Sequence, residues 1–88
     1  MVDSESLKTF GSFLRRKRMM AFVKQTDLAK HLSRTPQFIS NIERGVAPPP
    51  YTLLPKWLEY IQTSKEEWIQ MELKIKRDEL EKIFFKHK

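Results

Sequence analysis

The chemistry that this sequence offers most clearly is ionic, because its basic side chains are concentrated in one part of the chain. The 88 residues carry a formal net charge of +6, and residues 7–45 alone hold nine basic and two acidic residues, a net charge of +7. Residues 1–6 carry −2 and residues 46–88 carry +1. Positive charge concentrated in this way is typical of a small domain that binds a polyanion such as nucleic acid. The other interpretation is a solvated basic surface that keeps the protein soluble.

Several other kinds of chemistry are disfavoured by what the chain lacks. It has no cysteine, and its two histidines, His31 and His87, lie far apart in sequence, so no zinc site is expected. No nucleophile–base–acid set and no phosphate-binding loop is visible, which makes an enzyme the weakest class and predicts no catalytic residue, metal or cofactor. The absence of an 18-residue apolar stretch and of a secretion signal predicts a soluble cytoplasmic protein without membrane partners.

The first half of the chain predicts three helices. Apolar residues at helical spacing indicate the first two. Thr35 is a good N-cap, Pro36 suits the first helical position, and Gly45 stands where a left-handed C-terminal cap is wanted, which together indicate the third. These helices are predicted over about residues 7–20, 25–32 and 36–44.

The second half predicts two more helices. Thr52 is predicted to cap the fourth, with Pro55 still in its first turn. Ser64 followed by Glu67 is a capping box, which opens a fifth helix over about residues 64–85. Since the chain has only two glycines and no strand-like alternation, the predicted fold is all-α, with five helices in a single domain over residues 1–88.

The second and third helices form a helix-turn-helix candidate, because both are short and only three or four residues join them. In such a motif the later helix fits the DNA major groove and the earlier one crosses the phosphate backbone. Helical hairpins are also common in small α domains that bind no DNA.

The segment of residues 25–45, QTDLAKHLSRTPQFISNIERG, resembles the repressor/Cro (XRE-type) helix-turn-helix family of DNA-binding transcriptional regulators. The resemblance extends more weakly to the first helix and to the segment LPKWL at residues 54–58, and it covers about residues 7–68. It implies a five-helix repressor-like domain that binds double-stranded DNA. Here the fifth helix is extended beyond the usual domain.

The resemblance also implies a role for individual residues. Gln37 and Asn41 would be the best base readers, because either amide can bond bidentately to adenine. Arg18 and Glu43 would form a structural ion pair between the first and third helices. The residues implied to contact bases are Thr35, Pro36, Gln37, Ser40 and Asn41. Those implied to contact phosphates are Lys24, Gln25, Arg34 and Arg44. For each of these the other interpretation is an ordinary solvated polar residue, and the rest of the run at residues 15–17 is interpreted in that way.

The chain departs from the family pattern at three places. Ser33 stands where many members have glycine in the turn, and Phe22 stands where glycine often separates the first two helices. A residue other than glycine costs about 1 kcal/mol in the left-handed conformation, so an adjusted turn is expected at Ser33. Lys24 replaces the usual small N-cap before Gln25.

The last helix carries an apolar stripe that needs a surface to cover it. The predicted stripe comprises Ile69, Leu73, Leu80, Ile83 and Phe84, widened on one side by Trp68 and Ile75. A homodimer is the favoured explanation, with contacts made by Leu73, Leu80, Ile83 and Phe84. The alternative is that the helix folds back over its own domain.

These patterns predict a sequence-specific regulator of transcription, most simply a repressor that reads a two-fold operator and associates with the nucleoid through DNA. Two recognition helices about 34 Å apart in a dimer would suit such an operator. The alternative is an antitoxin-type protein that binds a partner protein through the last helix and represses its own operon. Small controllers of restriction–modification systems share this size and layout.

Overall fold

The described part of the chain forms five α-helices around one apolar core. The computed structural model describes residues 4–85, so the ends of the predicted domain, including His87, lie outside the described residues. Within the described range no strand occurs, and the predicted all-α fold class is confirmed. The helices are α1 (Ser4–Met20), α2 (Gln25–His31), α3 (Pro36–Glu43), α4 (Leu54–Tyr60) and α5 (Lys65–Phe85).

The predicted start of α3 is confirmed. Thr35 is its N-cap, with an extended backbone and a side-chain oxygen that accepts the Phe38 N–H at 3.1 Å, and Pro36 follows at the first helical position. At the other end, Arg44 is the C-cap rather than the last helical residue. Likewise Leu32 is the C-cap of α2, so both helices end one residue earlier than predicted.

The predicted cap of α4 is wrong. Leu53, not Thr52, is the N-cap, and no side-chain hydrogen bond caps the helix. The reason lies in the preceding turn, where the Leu53 N–H donates to the Pro50 carbonyl at 3.0 Å and the Leu54 N–H donates to the Tyr51 carbonyl at 3.3 Å. Because this turn already satisfies backbone donors before the helix begins, a side-chain cap is not required. Pro55 does lie in the first turn, as predicted.

The capping box of α5 is confirmed. The Ser64 Oγ accepts the Glu67 N–H at 3.1 Å, and the Glu67 carboxylate accepts hydrogen bonds from Ser64 in return. The same carboxylate is paired with Lys17 of α1. These contacts, with that of Lys17 the largest, hold the pKa of Glu67 below its ordinary value. The N-terminal end of α5 is therefore attached to the C-terminal half of α1.

The core is built from all five helices. Its most deeply buried side chains are Leu14, Leu28, Ile39, Ile42, Trp57 and Ile61. Trp68 of α5 closes one side, with its ring 5.6 Å from those of Phe10 and Phe13 in α1. Helix α5 then continues antiparallel to α1, so that Glu79 accepts the Ser6 hydroxyl at 2.9 Å.

Two glycines let α1 approach the end of α3. A Cβ on Gly11 would lie 2.3 Å from the Ile42 carbonyl oxygen and 2.5 Å from that of Glu43. Gly45 has a φ of +77°, and a Cβ there would lie 2.8 Å from the Cα of Lys8. Backbone-to-backbone contact therefore sets the position of α3 relative to α1, and only glycine permits it.

Helices α1 to α4 end in the same left-handed cap, although three of the four residues that form it are not glycine. Phe22, Ser33 and Gln62 have φ values of +58°, +56° and +58°. Each of them, like Gly45, sits in a Schellman motif; at Ser33 the Arg34 N–H donates to the Ala29 carbonyl at 2.8 Å and the Ser33 N–H to that of Lys30 at 3.1 Å. The expectation of an adjusted turn at Ser33 is wrong, because these hydrogen bonds hold the residue in the left-handed conformation.

Phe22 gives the clearest test of this backbone cost. Phe22 is 95% exposed, so removal of its side chain loses almost no packing contacts. Phe22→Gly should raise the free energy of unfolding by about 0.5–1 kcal/mol, because relief of the left-handed strain exceeds the added entropy of glycine. Phe22→Ala is the matched control and should bring no such gain, since alanine keeps the Cβ. Urea denaturation of the three proteins measures the difference, and equal stabilisation by both variants would contradict the explanation.

Candidate nucleic-acid interface

Helices α2 and α3 pack together through their apolar faces and leave one face of α3 open. In the core, α2 and its C-cap contribute Leu28, Ala29 and Leu32, which meet Ile39 and Ile42 of α3. The Arg34 guanidinium lies 5.6 Å from the centre of the Phe38 ring at the turn, and Phe38 itself packs partly against the core. The outward face of α3 therefore consists of polar side chains held on a rigid helix.

Four polar side chains of α3 and its cap form a chain of hydrogen bonds along that face, here called the α3 ladder. The Gln37 Nε2 donates to the Asn41 Oδ1 at 2.8 Å, and the Arg44 Nη2 donates to the same oxygen at 2.8 Å. The Arg44 Nε also donates to the Ser40 Oγ at 3.3 Å. The structure thus brings together Gln37, Ser40 and Asn41, which were predicted as base contacts, with Arg44, which was predicted as a phosphate contact.

The other predicted base contacts lie at the N-terminal end of the ladder. Thr35 and Pro36 are both exposed. The Thr35 hydroxyl oxygen accepts the capping hydrogen bond from Phe38, which leaves its own proton available to donate. Pro36 offers only its ring.

Behind the ladder, a buried ion pair joins three helices. The Arg18 Nε donates to the Glu43 Oε2 at 2.7 Å and its Nη2 to the Glu43 Oε1 at 3.1 Å. The two side chains are 10% and 0% exposed. The third guanidinium nitrogen donates to the Val23 carbonyl at 2.7 Å, and the Gln25 amide donates to the Glu43 Oε1 at 2.9 Å. The pair therefore connects α1 to α3, and the hydrogen bond from Gln25 links the N-terminus of α2 to the same carboxylate.

The predicted phosphate contacts surround α3 without forming one cluster. Lys24 is exposed at the N-cap of α2, where it makes no side-chain capping bond. Gln25 is half-buried, and one of its amide N–H groups donates to Glu43. The Arg34 guanidinium donates to the Ser33 carbonyl at 3.1 Å and lies on the turn between α2 and α3.

Sequence reasoning missed one part of this surface. Lys8 was not singled out, and Arg15 was interpreted as part of a solvated face, yet both line a cleft between α1 and α3 together with Ser12, Ser40 and Arg44. The spacing of residues 8, 11, 15 and 18 was the available signal. These positions share one face of a helix, and that face carries both Gly11 and the paired Arg18.

A comparison with known families decides what kind of surface this is. Residues 9–68 match the model of a family described as a helix-turn-helix domain. The chain belongs to that family. The helix-turn-helix motif predicted from residues 25–45 is therefore confirmed, and DNA binding is the function that this motif carries. No curated protein sequence matches the chain.

The match ends at Trp68, so most of α5 lies beyond it. None of the helices in residues 4–85 is long and apolar enough to cross a membrane. In the same residues, no group of three or more His, Cys, Asp or Glu side chains is placed to hold a metal ion.

The buried ion pair should make a large contribution to stability. Glu43→Ala leaves the Arg18 guanidinium buried without its counter-ion, and should lower the free energy of unfolding by on the order of 3 kcal/mol. The double variant Arg18→Ala/Glu43→Ala should lose less than the sum of the two single losses, because it strands no charge. Lys74→Ala, which breaks an exposed pair with Asp78, is the control and should cost less than about 1 kcal/mol. Chemical denaturation that shows Glu43→Ala as stable as Lys74→Ala would refute the assigned role.

Proposed function

We propose that the protein is a sequence-specific regulator of transcription that places α3 in the major groove of double-stranded DNA. The observation that carries the proposal is the α3 ladder, an outward row of amide, hydroxyl and guanidinium groups on a helix whose opposite face is locked into the core. Amide and guanidinium groups are the side chains that distinguish base edges in the major groove. The net charge of +7 on residues 7–45 supplies the attraction to phosphates.

Gln37 is the principal base reader in this proposal. A bidentate contact to adenine needs one amide oxygen and one N–H. Gln37 donates a single N–H to Asn41, so its oxygen and its second N–H are free for a base. Asn41 differs, because its oxygen already accepts from both Gln37 and Arg44. A base that takes the Asn41 oxygen has to displace one of these donors.

The other assigned residues complete the contact around this reader. Thr35 and Ser40 offer hydroxyls to bases on either side of Gln37, and the Pro36 ring can lie against a thymine methyl group. Lys24, Gln25, Arg34 and Arg44 contact phosphates, Gln25 through the amide N–H that Glu43 does not hold. These phosphate contacts fix the register of α3 but carry no sequence information of their own.

A second copy of the chain covers the outer face of α5. The inner face is already used, since Met71 and Ile75 pack against the core and Glu79 accepts from Ser6. Folding back over the domain therefore accounts for only one face of the helix. The outer stripe remains 40–70% exposed at Ile69, Leu73, Leu80, Ile83 and Phe84. A monomer rarely exposes so many large apolar side chains along one face of a helix.

The spacing of the stripe favours pairing with an identical helix. Ile69, Leu73, Leu80 and Ile83 follow the alternating four- and three-residue steps of a coiled-coil seam, with Lys76 at the one polar seam position. In a parallel pair Glu72 of one chain would face Arg77 of the other, which joins opposite charges. The same stripe would suit an apolar helix of a partner protein, as in the antitoxin-type alternative.

A dimer of DNA-binding domains can block access to a promoter, and a repressor is therefore the simplest regulatory role.

Base reading by α3 is tested with two alanine variants and one phosphate control. Gln37→Ala should cost about 1–3 kcal/mol on the cognate site and relax preference at one or two base pairs, and Asn41→Ala should behave similarly. Neither should unfold the protein, because neither side chain belongs to the core. Arg34→Ala should instead weaken cognate and random duplexes alike. The cognate site is first selected from random duplexes, and all titrations are made at one salt concentration. Full discrimination by both Gln37→Ala and Asn41→Ala would show that α3 is not the reader.

Dimerisation is tested on the outer face of α5. Leu80→Asp/Phe84→Asp should convert a dimer into a folded monomer, because it places carboxylates in the outer apolar stripe. Phe85→Asp is the matched control, since Phe85 is as exposed as Phe84 but lies off the stripe, and it should leave the mass unchanged. Lys76→Leu should tighten the dimer by removing the polar seam position. Light scattering over a concentration series measures all four proteins, and an unaltered mass in the double variant would defeat the proposal.

A further inference from the structure

The cleft between α1 and α3 is a second polar feature of the DNA-facing side, distinct from the ladder. Lys8, Ser12 and Arg15 form one wall, and Ser40 with Arg44 forms the other. The paired Arg18 and Glu43, with Gln25, lie at its base. Its volume of about 700 Å³ is large enough for a phosphate group with part of its sugar.

The cleft carries an uncompensated positive charge. Its one carboxylate, that of Glu43, is neutralised by Arg18. Lys8 and Arg15 are exposed, and neither forms an ion pair within the described part of the chain. Arg44 is bound only to the neutral Ser40 and Asn41 side chains. Three cations therefore face one space with no anion to balance them.

These groups match a phosphate in chemistry. Guanidinium groups bind phosphate oxygens through paired N–H donors, and a lysine ammonium adds a point charge. The hydroxyls of Ser12 and Ser40 supply further donors on opposite walls. The walls cannot drift apart, because α1 and the end of α3 are in backbone contact at Gly11 and Gly45.

The position of the cleft singles out a phosphate of the DNA backbone. Arg44 belongs to both the ladder and the cleft, so the two surfaces are continuous. From Gln37 to Arg44 the helix rises about 10 Å, at 1.5 Å per residue. The major groove is about 12 Å wide, so a duplex read by Gln37 brings one backbone to the Arg44 end of α3.

We infer that this cleft binds one backbone phosphate of the duplex, and that Lys8 and Arg15 of α1 act as a clamp on it opposite Arg44. The inference rests on the proposed DNA-binding function and extends it to a helix outside the helix-turn-helix motif. The clamp gives affinity and register without reading sequence, because phosphate contacts are the same for every base pair.

The test compares neighbouring arginines on α1. Arg15→Ala should weaken binding to cognate and random duplexes by the same factor and make the slope of log affinity against log salt shallower, by part of the about 0.9 per protomer that one neutralised phosphate contributes. Lys8→Ala/Arg15→Ala should weaken binding further and bring the change in slope to about 0.9 per protomer, because both residues of the clamp are then removed. Arg16→Ala is the matched control, because Arg16 has the same charge one residue away but does not line the cleft. Thermal melting of each variant checks that it is folded.

The outcomes separate the two claims. If the wild-type protein binds DNA and Arg15→Ala shows the same affinity and slope as Arg16→Ala, the clamp is refuted while the proposed function stands. If Arg15→Ala alters discrimination between cognate and random duplexes but not the slope, the cleft reads bases and the inference is again refuted. If the wild-type protein binds no duplex at low salt, the proposed function and the clamp that rests on it both fail.

Discussion

The buried contact between Arg18 and Glu43 is the interaction on which the arrangement of the first three helices depends. It fills the junction where α1, the start of α2 and the end of α3 meet, with both carboxylate oxygens and all three guanidinium nitrogens hydrogen-bonded. A charged pair at this depth tolerates little displacement, because a lengthened hydrogen bond there is not replaced by water. The apolar core holds the helices together, whereas this pair connects the end of α3 to α1 and to the start of α2.

The sequence predicted those elements whose signals are local. Thr35 with Pro36, Ser64 with Glu67, and the short turn between α2 and α3 each depend on a few adjacent residues, and the structure places them as predicted. The start of α4 was mispredicted because a backbone turn took the role assigned to Thr52. The conformation of Ser33 was mispredicted because the preference of non-glycine residues against the left-handed region was considered alone. Two backbone hydrogen bonds, to the carbonyls of Lys30 and Ala29, hold Ser33 in that region. Lys8 and Arg15 were missed because their significance depends on the position of α3, which no local pattern contains.

Helix α5 shows how one apolar pattern can serve two surfaces. The sequence placed Trp68 and Ile75 at the margin of a single stripe, whereas the structure divides the helix into an inner face on α1 and an outer face left exposed. The residues of α1 that meet α5, such as Phe10, Phe13 and Lys17, lie on the side of α1 away from Gly11 and α3. A partner seated on the outer face would therefore not cover the polar face of α3.

The α3 ladder has a consequence for how the protein would search along a duplex. Its side chains are already bonded to one another in the free protein, so on the proposed binding mode each of them keeps at least one hydrogen bond on a non-matching sequence. Such a complex could slide while held by phosphates alone. At a matching site a base that bonds to Gln37 uses an oxygen and an N–H that are unbonded in the free protein, whereas a base that takes the Asn41 oxygen must displace Gln37 or Arg44. The change from sliding to settling at one site would therefore depend on Gln37 more than on Asn41.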